Sequence, residues 1–263
     1  MLDTMYSLST WVLGVLVVGL AAAVSGLGLL VVHRFVPTEV RRAHNDITGY
    51  VSNIAAFVYA VMLAFLAVGV WEDYGKAKLT AQLEAAAASD VFRAAEGYPE
   101  AFRQRVREGI RAYIDIVLGE EWALQARHRM NDVGWRAIEA LHRTMLDFEP
   151  RGPREQVVHT EELHYMNALI DQRRLRILMA AAGLQPVVWA VILVGSALTV
   201  SFALFLGTAN VRAHVTMTMM LGATIGLSLF LLIAMAYPFR GGAGIGPEAF
   251  ERVHENIRRI DRE

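Results

Sequence analysis

The chain has 263 residues, of which 55% are hydrophobic and 19% charged, with a formal net charge of -1; together with a positive mean hydropathy, this balance belongs to membrane proteins rather than soluble ones. The near-zero charge argues against a nucleic-acid partner, and the lack of cysteine excludes disulfides, thiolate catalysis and cysteine metal sites. Hydrocarbon about 30 Å thick is crossed by roughly 20 apolar helical residues, and four stretches are long enough: residues 8–32, 50–71, 178–206 and 215–239.

The first stretch has no basic residue before it, and its apolar run exceeds that of a secretion signal, so it reads as a retained span. Gly19, Ala22, Gly26 and Gly28 crowd it, which allows close helix approach. The loop at residues 34–49 then sets Arg41, Arg42, His44, Asn45 and Asp46 directly before the second span. Asp46 or Asn45 sits where an N-cap belongs, and a carboxylate suits the positive end of the helix dipole. Arg41 and Arg42 suit the headgroup layer. The same five residues also suit a pore mouth, because a helix end beside arginine concentrates anions whereas Asp46 attracts cations. The sequence leaves both readings open.

In the second span Asn53, Phe57, Val61, Ala64 and Val68 share one helical stripe. If several copies of the chain surround an axis, that stripe provides a polar mouth and then an apolar constriction able to gate by dewetting. From Trp71 onward the sequence is rich in helix formers and free of proline as far as Gly97, so this span is expected to continue out of the bilayer as one long helix.

The polar block at residues 72–177 carries 18 Asp/Glu against 16 Lys/Arg, which reads as a solvated, salt-bridged helical stalk. Phe102, Val106, Ile110, Tyr113 and Val117 recur at helical steps, as do Ile138, Leu141, Met145 and Phe148. Pro99, Pro150 and Pro153 punctuate them. His159, Glu162 and His164 in "HTEELH" lack further ligands and read as solvated, so no metal site is expected. Pro186 is expected to kink the third span or break it from the stalk helix. In the fourth span Gly222 and Gly226 form a GxxxG packing pair. The "GGAGIGP" stretch at 241–247 lacks a P-loop lysine and reads as a flexible hinge before an amphipathic helix that could dock on the stalk. No catalytic set or cofactor fingerprint is present, so neither an enzyme nor a cofactor is expected. No Asp, Glu, Lys or Arg lies at bilayer depth, which weighs against a proton relay or coupled transporter.

The sequence thus predicts an all-α, polytopic membrane protein with four transmembrane helices and a helical extramembrane stalk between the second and third spans. Its segments are a first helix pair (1–71), the stalk (72–177), a second pair (178–239), and a hinge with a C-terminal helix (240–263). Positive charge near the spans is almost evenly divided between the two faces and does not orient the chain.

Three pieces in order, "HNDITGYVSNIAAFVYAVMLAFLAVGVWEDY", "RRLRILMAAAGLQPVVWAVILVGSALTV" and "YPFRGGAGIGPEAF", resemble the bestrophin-like family of bacterial membrane proteins. Bestrophins proper are oligomeric chloride channels with four spans per subunit, cytoplasmic termini and a cytoplasmic helical region between the second and third spans. The resemblance implies a homo-oligomer in the bacterial inner membrane, with lipid and inorganic ions as its partners and the stalk in the cytoplasm. The bestrophin calcium-binding acidic cluster is not found in the tail. Ala236 stands where members often carry an acid two residues before the Pro-Phe pair, so a role tied to that carboxylate does not carry over. The alternative is a non-conducting scaffold or sensor whose stalk binds a partner.

Overall fold

In the computed structural model, residues 5, 6, 8–127 and 129–262 are described. Among them the regular structure is helical: α1 (Thr10–Phe35), α2 (Thr38–Ala43), α3 (Asn45–Ala94), α4 (Glu100–Ile116), α5 (Trp122–Gln125), α6 (Val133–Leu146), α7 (Pro153–Ala181), α8 (Pro186–Leu204), α9 (Val211–Met235) and α10 (Glu248–Ile260). A 3₁₀ turn (Ala95–Gly97) follows α3, and a π-type turn (Val117–Glu121) links α4 to α5. Among the described residues four helices are long and apolar enough to cross a membrane: α1, the helix from Asn45 onward, α8 and α9. The second helix does run on past its apolar part without a break, as its composition requires.

Two compact units divide the chain. One contains Met1–Glu72, Gly183–Tyr237 and Gly241–Ala243; the other contains Asp73–Ala182, Pro238–Arg240 and Gly244–Glu263.

In the membrane unit, α1 and α9 lie side by side because glycine removes the side chains that would hold them apart. A Cβ added at Gly226 would lie 2.9 Å from the Cα of Val18 and 3.0 Å from the Cβ of Ala21. One added at Gly222 would strike the Ser25 hydroxyl. The obstacle at Gly226 is backbone, which cannot rotate away. Gly226→Val is therefore expected to destabilise the helix pair by about 1–3 kcal/mol through overpacking, measured as a lowered unfolding midpoint of the full chain in detergent. An unchanged midpoint would show that α1 and α9 do not approach this closely. Gly49→Val is the control, since a Cβ there meets nothing within 4 Å.

The third span is shorter than the apolar run suggested. Instead of 178–206 it is Pro186–Leu204, and Leu178 belongs to the last turn of α7. Ala182 and Gln185 are extended, and Pro186 opens the new helix. Proline lacks an N–H and drives the residue before it out of the α region, whereas hydropathy is blind to a break flanked by apolar residues. At about 1.5 Å per residue, 19 residues still match the hydrocarbon.

The stalk unit is built on the predicted stripes. Phe102, Val106, Ile110, Tyr113 and Val117 are buried, and so are Ile138, Leu141 and Met145. They meet Ala77, Ala81, Ala85, Ala88, Val91 and Phe92 of α3 and Met166 and Leu169 of α7. Each fully buried large side chain contributes about 1.5–3 kcal/mol. The tail helix α10 docks here through Phe250 and Ile257, with Trp122 edge-on to the Phe250 ring at 5.9 Å. Arg111 holds Asp261 through two hydrogen bonds, 3.0 and 2.5 Å long.

The glycine-rich segment before α10, where a hinge was expected, forms a closed turn. Ile245 N–H donates to the Pro238 carbonyl at 2.7 Å, and a Cβ at Gly244 would lie 2.8 Å from the Arg240 carbonyl oxygen. Gly241 adopts φ +72°, a conformation open to glycine at little cost.

Candidate functional site

The inner face of the second span is fixed by one tyrosine. The Tyr59 hydroxyl donates to the Ile192 carbonyl at 3.0 Å and shares a 2.6 Å hydrogen bond with Ser196 on α8. Gly195 makes room for its ring, which a Cβ there would strike. Leu63, Leu66, Ala67 and Val70 continue that face against Ile192 and Leu232. By helical register the stripe of Asn53, Phe57, Val61, Ala64 and Val68 is turned to the opposite side. All five are exposed in the single chain, with Phe57 at 70%.

The loop before this span divides its five polar residues between two duties. Arg41 is buried rather than sitting among headgroups. It donates to the carbonyls of Leu204, the last residue of α8, and of Leu206 just beyond it, at 3.4 and 3.3 Å, and contacts His33 Nδ1 at 2.8 Å and the Thr38 hydroxyl at 3.4 Å. A guanidinium there satisfies carbonyls that the last helical turn leaves without partners. Asn45 is likewise no cap. It is the first residue of α3, and its amide donates to the Gly207 carbonyl at 2.7 Å while its oxygen accepts from Gly207 N–H at 2.8 Å. The cap expectation fails because the loop opposite supplies a better matched pair, the backbone N–H and carbonyl of Gly207. Arg42, His44 and Asp46 stay exposed, and Asp46 occupies the first turn of α3, where its charge suits the helix dipole.

The stalk holds a charged centre that the solvated reading did not anticipate. Glu84 of α3, Glu121 of the π-type turn, and Arg173 and Arg176 of α7 are all buried. Arg173 donates to the two oxygens of Glu121 at 3.0 and 2.5 Å. Arg176 holds Glu84 through Nε and, at 3.1 Å, through Nη2, which also reaches Glu121 at 2.5 Å. Tyr113 donates to Glu84, and Gln125 accepts from Arg176. Burial alone would raise the Glu121 carboxyl, but the hydrogen bonds and charges of the two arginines outweigh it and hold that group below the usual carboxylate range. Burial pushes the Tyr113 hydroxyl well up, and the Glu84 charge adds to it. Two acids and two guanidiniums cancel, so the cluster is a neutral cross-link among three elements, α3, the π-type turn and α7, with Tyr113 of α4 and Gln125 of α5 bonded to it. Its signal was present in the sequence: Arg173 and Arg176 lie on the apolar face of α7 with Met166, Leu169 and Ala180, and Glu84 lies within the alanine stripe of α3.

The "HTEELH" residues are not brought together. His164 is exposed, whereas His159 and Glu162 are buried rather than solvated. His159 shares a 2.7 Å hydrogen bond with Tyr98. Among the described residues no group of three or more histidine and acidic side chains is placed to hold a metal.

The order of elements and the long second helix find their counterpart among known proteins. The bestrophin-like domain family matches residues 19–250. The chain belongs to the bestrophin-like domain family. Solved structures give the same fold for this bestrophin-like chain at low identity. Two point variants of a bacterial bestrophin homologue from Klebsiella pneumoniae superpose with TM-scores of 0.69 and 0.68 at 11% and 10% identity. They match 94% and 95% of the bestrophin-like chain and 99% of their own. A structure described only as a membrane protein gives 0.69 at 10% identity, covering 94% of this chain and 99% of that one. No curated protein matches the chain. The protein is a multi-pass, all-helical membrane protein with a bestrophin-like fold.

Proposed function

We propose that this bestrophin-like protein is an oligomeric, anion-conducting membrane protein in the bacterial inner membrane, with the second span lining the pore. In this reading the stalk and both termini are cytoplasmic, and Arg41, Arg42, His44, Asn45 and Asp46 surround the mouth. The observation that carries it is the uncovered stripe Asn53, Phe57, Val61, Ala64 and Val68, set opposite the face that Tyr59 fastens to α8. A polar residue followed by large apolar ones is the pattern of a dewetting gate.

The test is planar-bilayer current from purified protein under a KCl gradient. Phe57→Ala is expected to raise single-channel conductance by roughly twofold or more as the constriction widens, and Asn53→Leu to lower it. The reversal potential gives the sign of the ion. Assembled protein that stays silent across voltage and pH would overturn the reading.

The alternative is a non-conducting scaffold whose stalk binds a partner. It is favoured by Leu79 and Leu83, which remain 53% and 42% exposed on α3 beyond its apolar part. Under that reading, Leu79→Lys with Leu83→Lys abolishes partner capture and there is no current to alter.

A further inference from the structure

We infer that His33, Arg41 and His214 form a proton-sensitive latch on the loop between the third and fourth spans, closed when the imidazoles are neutral and loosened by acid. Arg41 is 4% exposed, and its Nη2 lies 2.8 Å from His33 Nδ1. A guanidinium has only donors, so the contact requires an unprotonated Nδ1 on His33. The closed loop therefore specifies a neutral His33 carrying its proton on Nε2.

Adding a proton to Nδ1 sets N–H against N–H and brings two positive charges into contact. One of them must move. If Arg41 moves, the Leu204 and Leu206 carbonyls lose their donor at the end of α8. If His33 turns, Arg41 loses its shortest hydrogen bond. The groups that bear on this site come from each neighbouring element. Arg41 and the Thr38 hydroxyl belong to α2, and the end of α8 offers only carbonyls. His214 of α9 is within electrostatic range of both His33 and Arg41 and bonds through Nε2 to the Ala203 carbonyl at 3.1 Å. No carboxylate pairs with any of the three among the described residues, so each added proton increases repulsion. The second tie on the same loop, Asn45 to Gly207, does not titrate. Acid thus removes one of two fastenings.

Hydrogen–deuterium exchange of the full chain in nanodiscs tests this, following the peptide that covers residues 204–210 and correcting for the intrinsic pH dependence of exchange. Protection in the wild type is expected to fall about tenfold between pH 8 and pH 5, the scale of losing one charge-assisted hydrogen bond. His33→Asn keeps an acceptor near the Nδ1 position and cannot titrate, so it should hold protection constant. Loss of protection in His33→Asn equal to the wild type, or no loss in the wild type, overturns the latch. Nitrogen NMR of histidine-labelled wild type decides the matter even if the variant fails to assemble: Nδ1 of His33 must be unprotonated at pH 8 and protonated at pH 5. A His33 protonated at Nδ1 at pH 8 refutes it. Neither readout depends on ion conduction.

Discussion

Arg176→Met is expected to lower the unfolding free energy of the full chain in detergent by about 3–5 kcal/mol, because it strips the partner from a buried carboxylate rather than deleting a surface pair. Glu84 would retain Arg173 only at 3.7 Å, with a hydrogen bond from Tyr113. The cluster would then hold two acids against one cation. Exposed pairs on the same unit, such as Lys76 with Asp73 at 3.4 Å, are each expected to contribute under about 1 kcal/mol. The discriminating variant is the double Arg176→Met, Glu84→Gln, which removes both charges. It should recover much of the loss, giving a coupling energy of about 1–3 kcal/mol in a double-mutant cycle. Denaturant titrations of the four proteins provide the measurement. Additive losses would mean that Glu84 and Arg176 do not compensate each other.

That cluster also marks how far sequence reading reached. Amphipathic stripes such as Phe102 to Val117 announce their buried face through period alone, and the structure places them there. The second helix could be followed past Trp71 because nothing in the sequence stops it before Gly97. Arginine on a stripe is harder to read. Arg174 and Arg176 are both charged and two residues apart, yet one is exposed and the other fully buried. The distinction lies in the phase of α7, and Glu84 and Glu121, distant in sequence, must arrive to neutralise it. The same limit applies to the loop before the second span. Local propensity offers Asn45 as a cap, but Gly207, 162 residues away, claims its side chain. Pairings that cancel desolvation are non-local, whereas helix propensity and apolar period are local.

Glu162→Met is expected to stabilise the protein near pH 8 by about 2–4 kcal/mol and to flatten part of its pH dependence. Glu162 is fully buried on α7, neither carboxylate oxygen has a hydrogen-bond partner, and burial pushes the carboxyl up from the usual 4.5 to about 8. Its charge bears on the buried Tyr98, whose hydroxyl is pushed up first by burial and then by Glu162. The folded chain holds a proton that the unfolded chain releases, so stability falls as pH rises from about 4.5 to about 8 and levels off above that. His159 acts at the other end. Burial lowers its imidazole, so its contribution is present above the ordinary histidine range and is lost as pH falls below it. Met fills a similar volume without a charge or an unmet acceptor, which removes the fall in stability between about pH 4.5 and 8 and leaves the loss that His159 produces as pH falls below the histidine range. Unfolding free energies of wild type and variant at pH 5, 6, 7 and 8 test this. Parallel curves would show that Glu162 is not the group that titrates; curves that diverge as pH rises identify it as a buried acid held neutral by the stalk.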